Sequence, residues 1–324
     1  MTMRFSGGAA LLLFLLAAVP AVAATREEPA LRLTDRLSLG VTLQRLAASH
    51  TSYEFGNPYP PKQVPLSRLE FPLDSWWAGA ELRADFPRFS VGFEALTNLS
   101  REVEGRMYDS DWDDEGDPDR KTVFSESRLR LERSYMLKAD IDLKTSDWLG
   151  LPGWVDLRPV AGVRRQRFSF TTHDGTQWDL TGQEPPTPLP GDGIAFEQVY
   201  MHYFLGLKAG FDLPRPAGLE GLTALVQLDW AYVEGRNRDH HVLRAGERYT
   251  YEDTNGHAWH GSIGLRLGLT GRLSLSAMAD FLAIETRGDH RLVNSAPGID
   301  FAFPDGVKAW SGQNCYSLLL RYCF

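Results

Sequence analysis

The stretch Leu222–His241 reads LTALVQLDWAYVEGRNRDHH and alternates apolar and polar residues with a period of two. Its even-numbered positions form an apolar row that ends at Trp230 and Tyr232, and charged residues follow on the same parity. Alternation over this length is typical of a strand and not of a helix. An aromatic pair followed by charge is typical of a strand that leaves the lipid. The stretch therefore predicts a membrane-spanning strand, with Asp239 and His241 together on its inward, polar side.

The same alternation recurs along the rest of the chain in about ten segments. Long Pro/Gly-rich or polar segments separate some of them, namely Thr51–Gln63, Glu184–Gly193 and Gly288–Lys308, and short turns separate the others. The last segment carries an apolar period-two row that ends at Phe324. This asymmetry predicts an all-β fold, a transmembrane antiparallel up-and-down β-barrel of about ten strands with long extracellular loops. A periplasmic β-sandwich is the alternative, but it does not require aromatic outward rows on so many strands.

The amino terminus predicts export. Residues 1–23 contain one basic residue, an apolar run and an Ala-x-Ala site, which together indicate a signal peptide cleaved after Ala23. Residues 24–324 then form a single barrel domain, located in the outer membrane with many strand crossings. The formal net charge of −8 and the lack of a basic run argue against a nucleic-acid partner. Cys315 and Cys323 lie about 26 Å apart on one predicted strand, too far for a disulfide.

Two acidic constellations carry the candidate chemistry. Asp109 and Asp111 share one face if their segment is extended, and two close carboxylates tend to hold one proton between them. Asp239 can orient the His241 imidazole and stabilise its positive charge. If both pairs line one barrel mouth, a water molecule between them can be activated for hydrolysis without a covalent intermediate. Each pair alone also fits a solvated rim, and no Cys/His cluster has the spacing of a metal site.

Strict alternation conflicts with this site at one place. The residues expected to face lipid, from Val91 to Leu99, are odd-numbered, and so are Asp109 and Asp111. One extra residue is therefore needed between them, and a β-bulge near Gly105 is predicted.

Four short motifs resemble those of one family. The segments are MYDSDW (107–112), RDHH (238–241), GVRRQRFSF (162–170) and SRLEF (67–71). They are similar to the aspartate-pair motif, the Asp-x-His motif and the strand sequences of the omptins, outer-membrane endopeptidases of Gram-negative bacteria. The spacing between the two catalytic motifs and the terminal Phe also match.

The resemblance implies a hydrolase, an aspartic-type endopeptidase that cuts peptides or proteins outside the cell. By matching positions, Asp109 and Asp111 would position the water, His241 would be the general base, and Asp239 would hold its tautomer. Family members cut at basic residues and need lipopolysaccharide for activity. The resemblance therefore implies no resident cofactor or metal, lipopolysaccharide as an activator, outer-membrane lipid as a partner, and a monomer.

The chain departs from the family pattern at its binding positions. The family has an acid two residues before the catalytic Asp, where it holds a basic substrate side chain, and this chain has Asn237. The partner acid on the first strand is expected near His50, which is not an acid. Among the lipopolysaccharide-binding positions, Arg167 matches, whereas Val199 and Gly256 stand where basic residues are expected. Arg164 and Arg165 are candidates to compensate.

Two other functions are compatible with a barrel. A non-catalytic adhesin or receptor would use the acidic segment Asp113–Asp119 to bind cationic partners. A lipid-modifying enzyme would use Ser110 and His240, although parity directs His240 outward and no acid partner is evident. In the endopeptidase, and in neither alternative, all four residues of the two pairs converge on one water position.

Overall fold

The computed structural model describes residues 36–57, 63–214, 219–296 and 298–324, and the predicted signal peptide lies outside these ranges. Arg36–Phe324 form one compact unit with fourteen antiparallel strands. No helix within the described ranges is long and apolar enough to cross a membrane. The strands are β1 (Leu37–Leu46), β2 (His50–Asn57), β3 (Gln63–Pro72), β4 (Ser75–Asp85), β5 (Phe89–Asn98), β6 (Met107–Asp111), β7 (Val123–Leu131), β8 (Tyr135–Leu143), β9 (Val155–Asp179), β10 (Thr187–Asp212), β11 (Gly221–His241), β12 (Arg248–Gly268), β13 (Leu273–Asn294) and β14 (Ile299–Cys323).

The strands form two rings of ten that share six long members. In the lower ring, β1, β4, β5 and β8 join β9 to β14, and the β1–β14 ladder returns the order to its start. In the upper ring, β2, β3, β6 and β7 fill the interval between β14 and β9. The predicted all-β barrel of about ten strands is confirmed. Four of its predicted strands are each divided into a lower and an upper piece.

The long strands reach far beyond a membrane. Strands β9 to β14 have 21 to 26 residues each, whereas about 9–11 residues suffice to cross a bilayer. The surplus pairs with neighbouring strands, which satisfies its backbone hydrogen-bonding groups. Three segments predicted as loops are for this reason partly strand. β2 occupies much of 51–63, β10 begins at Thr187, and β13 and β14 leave only a short connection between Asn294 and Ile299.

Side chains satisfy the backbone where the four strands divide. The Asp74 carboxylate accepts hydrogen bonds from the backbone N–H groups of Ala48 (3.0 Å) and Ser49 (2.8 Å), between β1 and β2. The Asn98 side chain accepts from the Ser134 N–H at 3.0 Å, between β7 and β8. These contacts let each strand change direction, so the upper pieces need not keep the inward parity of the lower ones.

The lower ring has an apolar outside and a polar inside, as a lipid-facing band requires. Outward side chains such as Val41, Leu228 and Ile263 are 57 to 63% exposed. The interior holds a cavity of about 430 Å³ whose lining includes charged residues of both signs. Its ion pairs include Lys208 with Asp140, at 2.9 Å.

An aromatic cluster fills the interior where the two rings meet, beneath the mouth of the upper ring. Phe71 stacks on Phe196 with 4.5 Å between ring centroids and on Phe170 with 5.3 Å. Trp77 meets Phe168 edge to face at 5.9 Å. All five side chains are 0 to 1% exposed, and truncating one such ring to alanine typically costs about 3–5 kcal/mol of stability. The cluster gives the mouth above it a rigid floor.

Candidate active site

Strand β11 brings Asp239 and His241 to the inner face of the upper ring. From Val226 to Asp239 its odd-numbered side chains are buried and its even-numbered ones more exposed, as the alternation predicts. Asp239 is fully buried and lies in register between Phe196 of β10 and Thr250 of β12. The Nε2 atom of His241 is 3.5 Å from Oδ2 of Asp239. The carboxylate can therefore stabilise the protonated imidazole.

A third side chain, Tyr53 of β2, joins this pair. Its hydroxyl donates a hydrogen bond to Oδ2 of Asp239, and its ring is fully buried. The sequence argument missed Tyr53 because it assigned residues 51–63 to a loop. The alternation of Thr51, Tyr53 and Phe55 ahead of the first glycine was the available signal for a strand.

Strand β6 turns Asp109 and Asp111 inward. They pair in register with Leu69 and Ser67 of β3, which are buried on the inner face. The parity change that the sequence required takes place between Asn98 and Met107, where the strand is interrupted for eight residues (99–106). Gly105 lies in this interruption with φ at +105°. The expected one-residue bulge is therefore wrong in form, since regular pairing stops for eight residues, with isolated bridges at Glu102 and Glu104, and resumes beside β3.

Asp109 and His241 line one cavity of about 80 Å³, which Arg244 also lines. The two residues reach it from different strands, β6 and β11. Asp239 does not line the cavity but contacts the His241 imidazole. Asp111 does not line the cavity either, and it lies two residues from Asp109 on the same face of β6. The Oδ1 atom of Asp109 is buried and has no hydrogen-bond partner among the described residues. A polar cavity with such an unpaired oxygen is suited to a bound water.

The environment holds the aspartate pair partly protonated. Burial, and then the like charge of Asp111, raise the pKa of Asp109 to about 7. Burial also raises the pKa of Asp111, against the effect of a hydrogen bond from Ser67. At neutral pH the pair therefore retains a proton that two exposed carboxyls would release.

The surroundings of His241 raise the pKa of its imidazole, which makes it a stronger base. Burial alone would lower the pKa of the imidazole, but the Asp239 carboxylate, with a smaller contribution from Asp109, outweighs it. Arg248 opposes these two acids. The net result is a raised pKa, so His241 can accept a proton near neutral pH and hold it.

Asn237 lies two residues before Asp239 on β11 and faces the same side of the strand. It is 6% exposed and stands in register between Gln198 of β10 and Glu252 of β12. Its Nδ2 atom has no hydrogen-bond partner among the described residues. Position 237 itself holds no acid. Across the β12 ladder, Oε1 of Glu252 is 2.9 Å from His290, whereas its Oε2 atom is buried and has no hydrogen-bond partner among the described residues.

The first-strand acid of the family is expected near His50, and the structure shows which of the residues there faces the interior. His50 is exposed, whereas Thr51 is fully buried and faces the interior. Thr51 donates a hydrogen bond to the Gln198 side chain at 2.5 Å. Neither of these two residues is an acid.

Arg167 lies on the outer face of β9. It is paired with Glu197 and donates a hydrogen bond to the Arg133 carbonyl at 3.0 Å. Arg165 follows on the same face and lies over the Tyr135 ring at 5.9 Å. Arg164 is 8% exposed and points inward, 3.9 Å from Asp229. It therefore cannot replace a missing basic residue on the outside.

Ser110 and His240 do not form a catalytic unit. The Ser110 hydroxyl is buried without a hydrogen-bond partner among the described residues. The His240 ring stacks on Tyr249 with 4.2 Å between centroids. The lipid-modifying alternative has no support in this arrangement.

Comparison with known proteins identifies the family. The model of the omptin family matches residues 76–321. The chain belongs to the omptin family. Among solved structures, the outer-membrane protease OmpT from Escherichia coli aligns with a TM-score of 0.78 and 16% identity, over 90% of this chain and 97% of that one. No curated protein sequence matches the chain.

Two autotransporter barrels align less well. The translocator domain of NalP from Neisseria meningitidis has a TM-score of 0.37 and 12% identity, over 89% of this chain and 88% of that one. The beta domain of BrkA from Bordetella has a TM-score of 0.29 and 13% identity, over 88% of this chain and 99% of that one. The resemblance that the motifs predicted is thus confirmed by the family match and the OmpT-like fold. Together they support a protease of the outer membrane for this omptin.

Proposed function

We propose that this omptin is an endopeptidase that hydrolyses peptide bonds with a water held between the Asp109–Asp111 pair and the Asp239–His241 pair. The observation that carries the proposal is the shared cavity of Asp109 and His241, with Asp239 in contact behind the imidazole. The upper ring lies beyond the apolar band, so its substrates are peptides or proteins outside the cell. The barrel is multi-pass in the outer membrane and acts as a monomer.

The water is activated by proton transfer to His241. A cavity of about 80 Å³ has room for at least two waters, since each occupies about 30 Å³ in the liquid. With the Nε2 proton directed at Asp239, Nδ1 of His241 is the free base. The water oxygen attacks the carbonyl carbon while its proton moves to Nδ1. When the carbon–nitrogen bond breaks, the imidazolium returns that proton to the leaving amine.

The aspartate pair and one arginine complete the mechanism. Asp109 is partly protonated at neutral pH, and an ionised carboxylate oxygen of the pair accepts a hydrogen bond from the water and orients it. Arg244 lines the same cavity and acts on both carboxylates. Its positive charge stabilises the oxyanion that develops on the substrate carbonyl.

The mechanism is tested by looking for an enzyme-bound intermediate. We expect the intact mass of rapidly quenched protein to show no peptide adduct during turnover, because water attacks directly. Ser110→Ala, which removes the hydroxyl that lies between Asp109 and Asp111 in the sequence, should retain wild-type kcat/KM within about threefold. A trapped acyl adduct that disappears in Ser110→Ala would contradict direct attack by water.

Substrate preference follows from the amide at position 237. Asn237→Asp should raise kcat/KM for substrates with Arg or Lys at the cleaved position, relative to neutral ones, by about 10- to 100-fold. Such a gain corresponds to one charge-assisted hydrogen bond of about 1.5–3 kcal/mol. Asn255→Asp adds the same charge on the exposed outer face of β12 and should leave the ratio unchanged. An equal change in both variants would show that net charge, and not the pocket, sets the preference.

Lipopolysaccharide is the proposed activator. Arg167 and Arg165 form an outward basic pair on β9, near Tyr135. Phosphate groups of the lipid can bind to such guanidinium groups. The effect is measured as the ratio of cleavage rates with and without lipopolysaccharide. A ratio of one in wild-type protein would refute the activation.

A further inference from the structure

One oxygen of the catalytic carboxylate serves two residues. The Tyr53 hydroxyl donates to Oδ2 of Asp239, and His241 Nε2 faces the same Oδ2 at 3.5 Å. The other oxygen, Oδ1, is buried and has no hydrogen-bond partner among the described residues. We propose that Tyr53 is a positioning residue, which fixes the Asp239 carboxylate and limits how strongly that carboxylate binds the His241 proton. The inference rests on the proposed function.

Packing fixes the phenol. Its ring is fully buried and stacks on Phe196 with 5.2 Å between centroids and an 18° angle between planes. On the other side Phe55 stacks at 6.4 Å. Tyrosine has only two side-chain torsions, and both are restricted here, so the donor is already aimed before substrate binds.

Three acids from three strands surround the phenol. Burial raises its pKa most, followed by Asp239 of β11, Glu252 of β12 and, more weakly, Asp109 of β6. A raised pKa keeps the hydroxyl protonated, and therefore a donor, at every pH at which a protease operates. The charged groups around His241 are Asp239, Asp109 and Arg248 of β12, together with Asp111 of β6 and Arg244, which lines the same cavity. Tyr53 is therefore a neutral hydrogen-bond donor among the charged groups that surround His241.

The hydroxyl and the imidazole compete for the same oxygen. A donor on Oδ2 withdraws part of its negative charge and so weakens its hold on the imidazolium proton. In Tyr53→Phe this oxygen has only His241, whose proton is then held more tightly. His241 would stay protonated, and therefore unable to act as a base, up to a higher pH. Its position would stay nearly the same.

Tyr53→Phe should shift the acidic limb of the kcat/KM profile upward by about one pH unit. On that limb kcat/KM is then about tenfold below wild type, since one unit is a factor of ten in the unprotonated base. On the alkaline side of that limb the two proteins should agree within about threefold. A merely structural role would instead lower the whole profile without moving the limb.

Tyr200→Phe is the matched control. Tyr200 is equally buried, and its hydroxyl faces Thr51 and not a catalytic residue. Its profile should superimpose on that of wild type. The His241 ring can also be titrated by NMR without substrate, and the Tyr53→Phe midpoint should be higher than the wild-type midpoint.

The outcomes separate the two proposals. If wild type cleaves no peptide, the proposed function fails. If wild type cleaves and Tyr53→Phe leaves both the limb and the NMR midpoint in place, or lowers them, the role of Tyr53 is refuted while the protease stands.

Discussion

His241→Ala is expected to lower kcat/KM for a peptide substrate by about 10³- to 10⁴-fold. General-base catalysis by a positioned imidazole contributes about 10²- to 10⁴-fold. Here the alanine removes the base and also leaves Asp239 as a buried carboxylate without its cationic partner. KM should change little, because the imidazole acts on the water and not on the bound peptide.

His240→Ala is the matched control for this loss. The two histidines are adjacent, but His240 stacks on Tyr249 outside the cavity. The control should retain kcat/KM within about threefold. Both variants are compared with wild type by progress curves on one quenched-fluorescent peptide, after circular dichroism has shown equal folding. If His241→Ala retained more than a tenth of the activity, His241 could not be the base.

Asp109→Asn should remove activity and add stability at alkaline pH. The aspartate pair would lose the carboxylate that orients the water, and we expect kcat to fall by about 100-fold. The pKa of Asp109 is raised to about 7, against about 3.9 in an unfolded chain. Between these values the folded protein keeps a proton that the unfolded chain releases. The free energy of unfolding therefore falls as pH rises from about 4 to about 7.

Asparagine cannot ionise, so the free energy of unfolding of Asp109→Asn does not fall in this way as pH rises. Asp109→Asn should be more stable than wild type at pH 8 by roughly 1–3 kcal/mol, and the difference should nearly vanish near pH 4. Urea unfolding in detergent at the two pH values measures it. Asp117→Asn, the same change in the exposed segment after β6, should show no difference at either pH. A gain at pH 8 no larger than that of the control would mean that Asp109 is not held protonated.

Most of the fold could be predicted because it depends on local alternation. The period-two row of β11 extends unbroken to Asp239, so the inward placement of this residue followed from counting. The same counting failed between Val91 and Asp109, because regular strand pairing is interrupted for eight residues between β5 and β6. Sequence parity required a discontinuity there. Its length depends on β6 pairing with β3, a contact between distant segments that alternation does not encode.

The residues that sequence reasoning missed or misplaced depend on three-dimensional surroundings. Tyr53 lies just before a Pro/Gly-rich segment. These turn-forming residues predicted a loop, whereas the structure has a strand of eight residues there. Its contact with Asp239 joins strands that are 186 positions apart. Arg164 and Arg165 differ by one position, and strand parity alone separates an interior ion pair from an exposed cation. Motif spacing predicted which residues form the candidate site, and the ladder register determined their partners.

The central claim is tested most directly by cleavage of a diverse peptide library. Full-length protein is purified from outer membranes and incubated with the library, with and without lipopolysaccharide, beside the Asp239→Asn/His241→Ala double variant. New peptide ends are read by mass spectrometry. We predict internal cuts by wild type in the presence of lipopolysaccharide and none by the folded double variant. An intact library with folded wild-type protein under both conditions would contradict the account and favour a binding role for the barrel.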